Sequence, residues 1–531
     1  MPVSLLSKKC YATDASLSSS GVTRTSKDRQ FHDYFVTFLP SSSLYTDPRG
    51  PLTSFHKLPR SASVPHTGAT SHPPTTFQSL VNRDTTVVRI PLRSAKHHFG
   101  VSVSRGTRPA NEDTYQAGVI DIPAFAKRPP ASLTIKRPGS TENRPAESAS
   151  GDPQVFYFGI FDGHGGAECS EFLRDHLHEY VQDAAAEFEL QSSLKKTHGD
   201  GGGDEEGEQQ HGGLPIWQKG NRQRIGDLET ALVKNWKNLV GGYFRRFVPA
   251  YFSFFGGNDG SAPKPAHKGQ DVTIEEVLEY AFLRADFEFI SAQAAKPDDG
   301  NAHAEGGAKR SSPIVGGPKR FKGGSTCSVA MISTPTPVPY WHPSAPSSLL
   351  VSHVGDTRIL LCSTETGQAI PVTSDHHPSS PVEAGRLRRY AAMFVTDSFG
   401  EERMSGLANT RAFGDIQSKR LGVSAEPDIR RVEMRPAEFS FLVLMSDGVS
   451  GCVHDQEVVD IVKEAKTPDH AANDVVSFAT DVSSEGDNAS CLVIRLGGWE
   501  RRLEGGVGSM ATKEAREYRR QDATDPRRSR T

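Results

Sequence analysis

Val155-Phe-Tyr-Phe-Gly-Ile-Phe161, followed at once by Asp162-Gly-His-Gly-Gly166, is the stretch on which the fold turns. An apolar run with no polar interruption is what a strand buried on both faces requires. The strand ends by delivering a carboxylate, Asp162. Gly163, Gly165 and Gly166 then leave room for backbone to approach an ion or a substrate closely. Beyond them Leu173, Leu177, Tyr180 and Val181 recur at three-to-four spacing, the stripe of an amphipathic helix. Strand, acidic glycine turn and helix together place a polar side chain at the rim of a sheet.

Three further stretches set an acid at or beside a tight turn: Arg108-Pro-Ala-Asn-Glu-Asp113, Ser446-Asp-Gly-Val449 and Gly486-Asp-Asn-Ala-Ser490. The last two adjoin apolar runs, Phe441 to Met445 and Cys491 to Leu496, that read as strands. A single Asp-Gly pair is more often a turn than a ligand. Four such turns form a donor set suited to Mg²⁺ or Mn²⁺, which prefer carboxylate, carbonyl and water oxygens. A pair of such ions can hold a hydroxide and a phosphate together.

Between these stretches lie Gly323-Gly-Ser-Thr326, Val354-Gly-Asp-Thr-Arg358, Thr373-Ser-Asp-His376 and Thr410-Arg-Ala-Phe-Gly-Asp415. In this order the motifs resemble the metal-dependent type 2C Ser/Thr protein phosphatases, from about Phe99 to Leu496 with insertions. The resemblance implies hydrolysis of phosphoserine and phosphothreonine in protein substrates by a metal-bridged hydroxide. It implies that Asp113 and Asp162 hold the first ion, with Asp162 bridging two, and that the Gly163 carbonyl is a further ligand. Asp447 and Asp487 would complete the other ion's shell, and Glu112 would hold metal-bound water.

Arg108 would grip the phosphate, because a guanidinium fork matches two phosphate oxygens. His164 would protonate the leaving oxygen, or would only hydrogen-bond nearby carboxylates. Thr326 and Arg411 would tie strands and flap together. Asp356 is either a turn residue or a ligand for a third, weaker metal. The stretch from Asp375 through Glu383 and Arg386 to Asp415 is similar to the family's flap beside the substrate groove. One departure stands out. The family reads Asp-Gly-hydrophobic-Trp-Asp at the third acidic motif, and here the run is Asp447-Gly-Val-Ser450-Gly451. The core ligand is kept, and the third metal site is left short of an acid.

Two rival functions remain at this point. A catalytically inactive binding or regulatory module would keep the fold but usually lose a core carboxylate, and Asp113, Asp162, Asp447 and Asp487 are all present. A small-molecule phosphohydrolase fits the long insertions less well. The net charge of -3 over 531 residues argues against a nucleic-acid protein. No apolar run approaches the ~20 residues of a membrane helix. The six cysteines include no Cys-x-x-Cys pair and read as small buried hydrophobes in a reducing compartment. A monomer is expected.

The organisation follows from composition. Residues 1–85, rich in Ser, Thr, Pro and His, read as a transit peptide and a disordered arm. The first thirteen residues hold no acid before Thr13 and carry Lys8 and Lys9, which points to the mitochondrion as the compartment; the alternatives are cytoplasm and nucleus. With the phosphatase motifs, this reads as a fungal-type mitochondrial family member. Residues 86–497 read as one phosphatase domain, with flexible insertions near 122–154, 193–222 and 294–322. Residues 498–531 read as a charged tail. Within the domain, Val87 to Ile90 and Phe99 to Val103 read as strands, and Asp455 to Ala465 as a helix. Gly355-Asp356 reads as a two-residue hairpin turn. Strand groups separated by long helices give an α+β fold. The resemblance sharpens this to a β-sandwich of two antiparallel sheets with helices outside both.

Overall fold

The computed structural model describes residues 34–40, 85–91, 98–128, 152–195, 216–252, 271–296, 315–317, 319–336, 338–388, 395–396, 402–404, 407–503 and 510–525. The chain runs β1 (Tyr34–Pro40), β2 (Thr85–Pro91), β3 (Phe99–Ser104), β4 (Thr114–Ile120), β5 (Val155–His164), α1 (Glu168–Glu187), β6 (Trp217–Lys219), α2 (Arg222–Leu239), β7 (Asp271–Thr273) and α3 (Ile274–Ala294). Then come β8 (Gly324–Ser333), β9 (Ser347–Val354), β10 (Arg358–Ser363), β11 (Ala369–Pro371), α4 (Pro381–Arg388), β12 (Val395–Thr396), β13 (Glu402–Arg403) and β14 (Phe413–Gly414). The last group is β15 (Asp428–Met434), β16 (Phe439–Met445), α5 (Asp447–Ser450), α6 (Asp455–Glu464), α7 (Pro468–Val482), β17 (Ala489–Arg495) and α8 (Met510–Thr524).

Two antiparallel sheets carry the architecture. One runs β11-β10-β16-β17-β3 and the other β15-β9-β8-β5-β4, with β14 also paired to β8. The strand period of two divides each strand between two cores. On β5, Phe156, Phe158 and Ile160 meet Leu442, Leu444 and Leu492 between the sheets. Tyr157 and Phe161 point the other way, toward Leu173, Leu177, Leu278 and Phe282 of α1 and α3. On β16, Phe441, Val443 and Met445 face Val458, Val462, Val475 and Phe478 of α6 and α7. Strands covered on both faces explain why neither β5 nor β16 alternates apolar with polar. Truncating Phe158, fully buried at 0 % exposure, to Ala would cost about 3–5 kcal/mol.

The outer helices start at side-chain caps. Thr273 accepts the Glu276 N–H at the head of α3, and Thr467 accepts the His470 N–H at the head of α7, where Pro468 fills the first turn. The described cysteines are all free, and four of the five are buried. Among the described residues no helix is long and apolar enough to cross a membrane.

Several sequence expectations change. Val354 and Arg358 do not form a hairpin. β9 pairs with β8 and β15, whereas β10 pairs with β16 and β11. The link Gly355-Asp356-Thr357 therefore steps from one sheet to the other. Gly355 makes the step at φ +105, and a Cβ there would lie 2.3 Å from the Thr326 side chain. Within the stretch read as a disordered arm, Tyr34–Pro40 pairs antiparallel with β2; its aromatic and β-branched residues favour a strand inside an otherwise polar composition. Residues 1–33 and 41–84, and with them the transit peptide, lie outside the described residues.

The insertion read over 122–154 begins as core. Ile122, Ala124, Phe125 and Ala126 are buried, and the Arg431 guanidinium lies 5.7 Å from the Phe125 ring centroid. Most of the three insertion readings falls outside the described residues, but their edges are packed: β6 pairs with β7, and Phe321 meets Phe289. The segment read as a charged tail holds α8, whose arginines pair with α6 and α7. Arg516 meets Glu464 at 3.0 Å, Arg519 meets Glu457 at 2.7 Å and Arg520 meets Asp481 at 2.9 Å.

Candidate active site

The four acidic turns converge at one end of the sandwich. Asp113 immediately precedes β4, whose Thr114 pairs with Phe161, so Asp113 and Asp162 leave neighbouring strands side by side. Asp447 opens α5 directly after β16, and Asp487 lies two residues before β17. The first pair thus hangs from the six-stranded sheet and the second from the five-stranded one. Asp356 comes from the link between the sheets. Carboxylate oxygens of Asp162, Asp356 and Asp447 all lie within 4.8 Å of one another.

Close backbone packing makes this possible. A Cβ on Gly163 would sit 2.5 Å from the Glu112 carbonyl and 2.9 Å from Ser170 Oγ, which itself donates to that carbonyl at 2.5 Å. A Cβ on Gly448 would sit 1.9 Å from the Asn488 carbonyl. Asn488 is a residue that sequence reasoning passed over. Its amide donates to the carbonyls of Arg105 and Ala110 at 2.9 and 3.0 Å, and its Oδ1 accepts the Glu112 N–H at 2.8 Å. It ties the first acidic stretch to the fourth across 376 residues of sequence. An Asn beside the motif's Asp was the available signal.

The electrostatics are those of unbalanced negative charge. Loss of hydration pushes the Asp162 carboxyl well above its usual range, and Asp447, Asp113 and Asp356 push it further. Asp113 rises to about 6 through burial, with Asp487 adding to it. Asp447 also rises to about 6, from lost hydration and then Asp487 and Asp113. Asp356 rises to about 7, from lost hydration and Asp447, although Asn409 donates to it at 2.7 Å. Like charges drawn together resist ionisation. Asp113 is only 4 % exposed, yet neither carboxylate oxygen has a hydrogen-bond donor in ordinary geometry. Orphaned buried acceptors and mutually repelling acids fit a hard divalent cation.

Around the cluster, Arg108 reaches Asp487 at 2.8 Å and stays half exposed. Arg105 braces the same loop by donating to the carbonyls of Arg108 and Pro109. His164 Nε2 lies 2.9 Å from Asp415 Oδ2. Burial alone would pull the imidazole's pKa down; the bond to Asp415 and its charge, with Asp356 and Glu112, carry it above the usual value. Asp415 itself holds φ +48, an unusual conformation for a non-glycine residue, and a Cβ on Gly324 would lie 2.5 Å from its Oδ2. The sequence placed Asp415 in the flap and did not foresee its bond to His164.

Other predicted residues line the surroundings of the cluster. Asp375 is paired with Arg358 at 2.8 Å. Thr326 lies opposite Asp162 in the β5–β8 register and under the Gly355 turn. Arg411 bridges to Glu383 at 2.7 Å and to the Glu426 carbonyl at 2.9 Å. Gly451, at φ -70, donates its N–H to the Asp447 carbonyl at 2.7 Å.

Known proteins resemble this chain over much of its length. Residues 254–488 match the family described as protein phosphatase 2C. The chain is 31% identical over 416 residues to protein phosphatase 2C homolog 4 of Schizosaccharomyces pombe, covering 78% of this chain and 84% of that one. It is 36% identical over 152 residues to the mitochondrial protein phosphatase 1K of Xenopus laevis, 28% of this chain and 40% of that one. A solved serine-threonine phosphatase 2C from Toxoplasma gondii is 15% identical, covering 75% of this chain and 94% of that one with a TM-score of 0.41.

Proposed function

This chain belongs to the protein phosphatase 2C family and is a metal-dependent protein Ser/Thr phosphatase, and from that premise we propose how its residues divide the work. The observation that carries the proposal is the convergence of Asp113, Asp162, Asp356, Asp447 and Asp487, whose carboxyls burial and mutual repulsion push up, with Arg108 paired to Asp487 and His164 near Asp356. Asp113, Asp162, the Gly163 carbonyl, Asp447 and Asp487 would hold two ions, Mg²⁺ or Mn²⁺, with Glu112 outside them and Asp356 beside a weaker third position. Bound ions supply charge neutralisation for the phosphoryl oxygens and an acidified water as nucleophile.

The chain's own groups do the rest. Arg108, on an exposed loop at the rim, turns its guanidinium from Asp487 toward two phosphoryl oxygens. Asp415 holds Nε2 of His164, which leaves Nδ1 to face the substrate. As water oxygen adds to phosphorus and the P–O bond to serine breaks, His164 gives its proton to the departing seryl oxygen. The phosphatase domain is taken as residues 86–497, working as a monomer on phosphoproteins and not on nucleic acid. The acid-poor start with Lys8 and Lys9, and a mitochondrial protein among the relatives, support the mitochondrion as its compartment. A reporter fused to residues 1–40 that stays diffuse in the cytosol would refute that address.

The activity is tested with a phosphoserine peptide and p-nitrophenyl phosphate. EDTA should abolish hydrolysis of both, and Mn²⁺ or Mg²⁺ should restore it. His164→Ala should lower kcat by ~10²–10⁴-fold on the peptide, whose alkoxide needs a proton, and much less on nitrophenyl phosphate. Full activity in EDTA would sink the metal reading; equal losses on both substrates would remove His164 as the acid.

A further inference from the structure

We propose that a basic and apolar surface, built jointly by α4 of the flap and by the turns that follow α2 and the flap, selects phosphoprotein segments with acidic residues flanking the phosphorylated serine or threonine. The inference rests on the phosphatase reading above and adds a substrate class to it.

Three segments distant in sequence make this surface. A 3-10 turn at Gly242–Arg246 follows α2, and a second at Lys419–Leu421 lies just past the flap. A Cβ on Gly242 would sit 2.3 Å from the Arg420 carbonyl, so the two turns touch backbone to backbone. Gly422 is wedged against Tyr243 of the first turn and Leu387 of α4. Arg386 of α4 stacks over the Tyr243 ring at 5.3 Å and donates to the Gly422 carbonyl at 2.8 Å.

The surface begins beside the chemistry. The N–H groups of Ser418 and Lys419 donate to the Asp415 carbonyl at 2.9 and 3.2 Å, so this turn starts at the residue that holds His164. It is also rigidly mounted. Lys419 is fully buried, lies 2.5 Å from Asp286 of α3 and donates to the Ala412 carbonyl at 2.7 Å. Asp286 takes the Gly414 N–H as well. Breaking such a buried pair is costly, which fixes the turn in one place.

The outward chemistry is one-sided. The exposed ionisable side chains of the two turns and α4 are all arginines: Arg245, Arg246, Arg388 and Arg420. Arg245, Arg388 and Arg420 have no carboxylate partner among the described residues. The one acid in these segments, Glu383, is buried between Arg386 and Arg411. Three of the nine large apolar side chains exposed among the described residues also lie here, Val248 at 51%, Val382 at 72% and Leu421 at 45%. With a net charge of -3 over the whole chain, this basicity is local. A peptide held at the metal site could reach the surface with its flanks, since in an extended chain residues three to five from the phosphoserine lie ~10–17 Å away.

The test uses the full-length protein with Mn²⁺ and three phosphoserine peptides whose flanks are acidic, neutral or basic. p-Nitrophenyl phosphate, which has no flanks, serves as the fourth substrate. At low salt the acidic peptide should exceed the basic one about tenfold in kcat/KM, mostly through KM. Combining Arg245→Glu with Arg420→Glu should bring that ratio to one or reverse it, with hydrolysis of nitrophenyl phosphate unchanged. Raising the salt on the unaltered protein should collapse the ratio too, whatever the variant's folding. Equal KM for the three peptides, or an acidic preference that neither charge reversal nor salt removes, would overturn the proposal. So would binding of phosphatidylserine vesicles by these arginines with no flank preference. Failure of the phosphatase reading would look different, with neither peptides nor nitrophenyl phosphate hydrolysed.

Discussion

Glu383 and the aspartates around Asp162 are carboxylates crowded by protein, and they differ in what crowds them. Glu383 receives Arg386 at 2.8 Å, Arg411 at 2.7 Å and the Thr410 hydroxyl at 2.6 Å. Burial opposes its charge, but the two guanidiniums hold its carboxyl well below the ordinary range. Asp162 has Asp447, Asp113 and Asp356 as neighbours, and its carboxyl is held well above that range. The first centre carries its counter-charges in the sequence. The second lacks them and, on the proposed reading, would be completed by ions from solution, so its stability would depend on their concentration. One is a strut for the flap; the other is a receptor.

The sharpest way to break this contrast is at the receptor. Asp162→Asn should lower kcat by more than the ~10–100-fold typical of residues that only support a metal ligand. In the unaltered protein, Mn²⁺ at a hundred times its dissociation constant should raise stability by ~2.7 kcal/mol per bound ion. Differential scanning calorimetry with and without chelator reads this, and Asp162→Asn should lose most of the shift. An unchanged melting temperature on adding metal would mean that the cluster is not a cation site.

At the strut, Glu383→Gln should destabilise by about 3 kcal/mol, because it leaves two largely buried arginines without a counter-charge. The folded pKa of Glu383 lies below its unfolded value of ~4.3, so its contribution is full above that value. It shrinks as the pH falls through ~4.3 toward the folded pKa. The stability gap between wild type and variant should therefore be widest near neutrality and narrow below about pH 4.5, as denaturant titrations can show. A gap that grows on acidification would contradict the ion pairing. Asp415→Asn probes the boundary between the two centres. It should cost about tenfold on phosphoserine peptides, a fraction of the ~10²–10⁴ assigned to the acid, and almost nothing on nitrophenyl phosphate.

Gly451→Asp should have the smallest effect. The backbone there has φ -70, which Asp can adopt, but an added Cβ would lie 2.9 Å from the Asp447 backbone carbonyl, so that carbonyl must give way. Stability should fall by about 1–2 kcal/mol. Calorimetry should show an added or strengthened weak binding event for Mn²⁺ beside Asp356 and Asp447. Three ions already bound by the unaltered protein at modest Mn²⁺ would mean that another group replaces the missing acid.

What could be read in advance follows from what is local. The apolar run at Val155 to Phe161 and the helical stripe from Leu173 depend on neighbours along the chain and appear where the pattern puts them, but the strand read as ending before Asp162 runs on to His164, paired in register with β8. The antiparallel sandwich with outer helices came from the order of motifs. Pairings across the sandwich were not legible. His164 meets Asp415 across 251 residues, and Asn488 reaches Arg105 across 383. The Gly355 step failed as a hairpin because two apolar segments around a Gly-Asp carry no mark of which sheet each will join. α8 was hidden by composition, since a polar arginine-rich helix looks like a tail until the acids of α6 and α7 are seen beside it.

The arrangement of donors by sheet has a mechanical consequence. Asp113 and Asp162 ride on the edge-side strands of one layer, and Asp447 and Asp487 on central strands of the other. Ions held by these residues would act as a fastener between the layers at that end. With the fastener removed, the layers should part there first. Amides near Phe161 to His164 and Ala489 to Cys491 would then exchange with solvent faster, while those beneath Phe158 and Leu444, held by the hydrophobic layer, keep their protection.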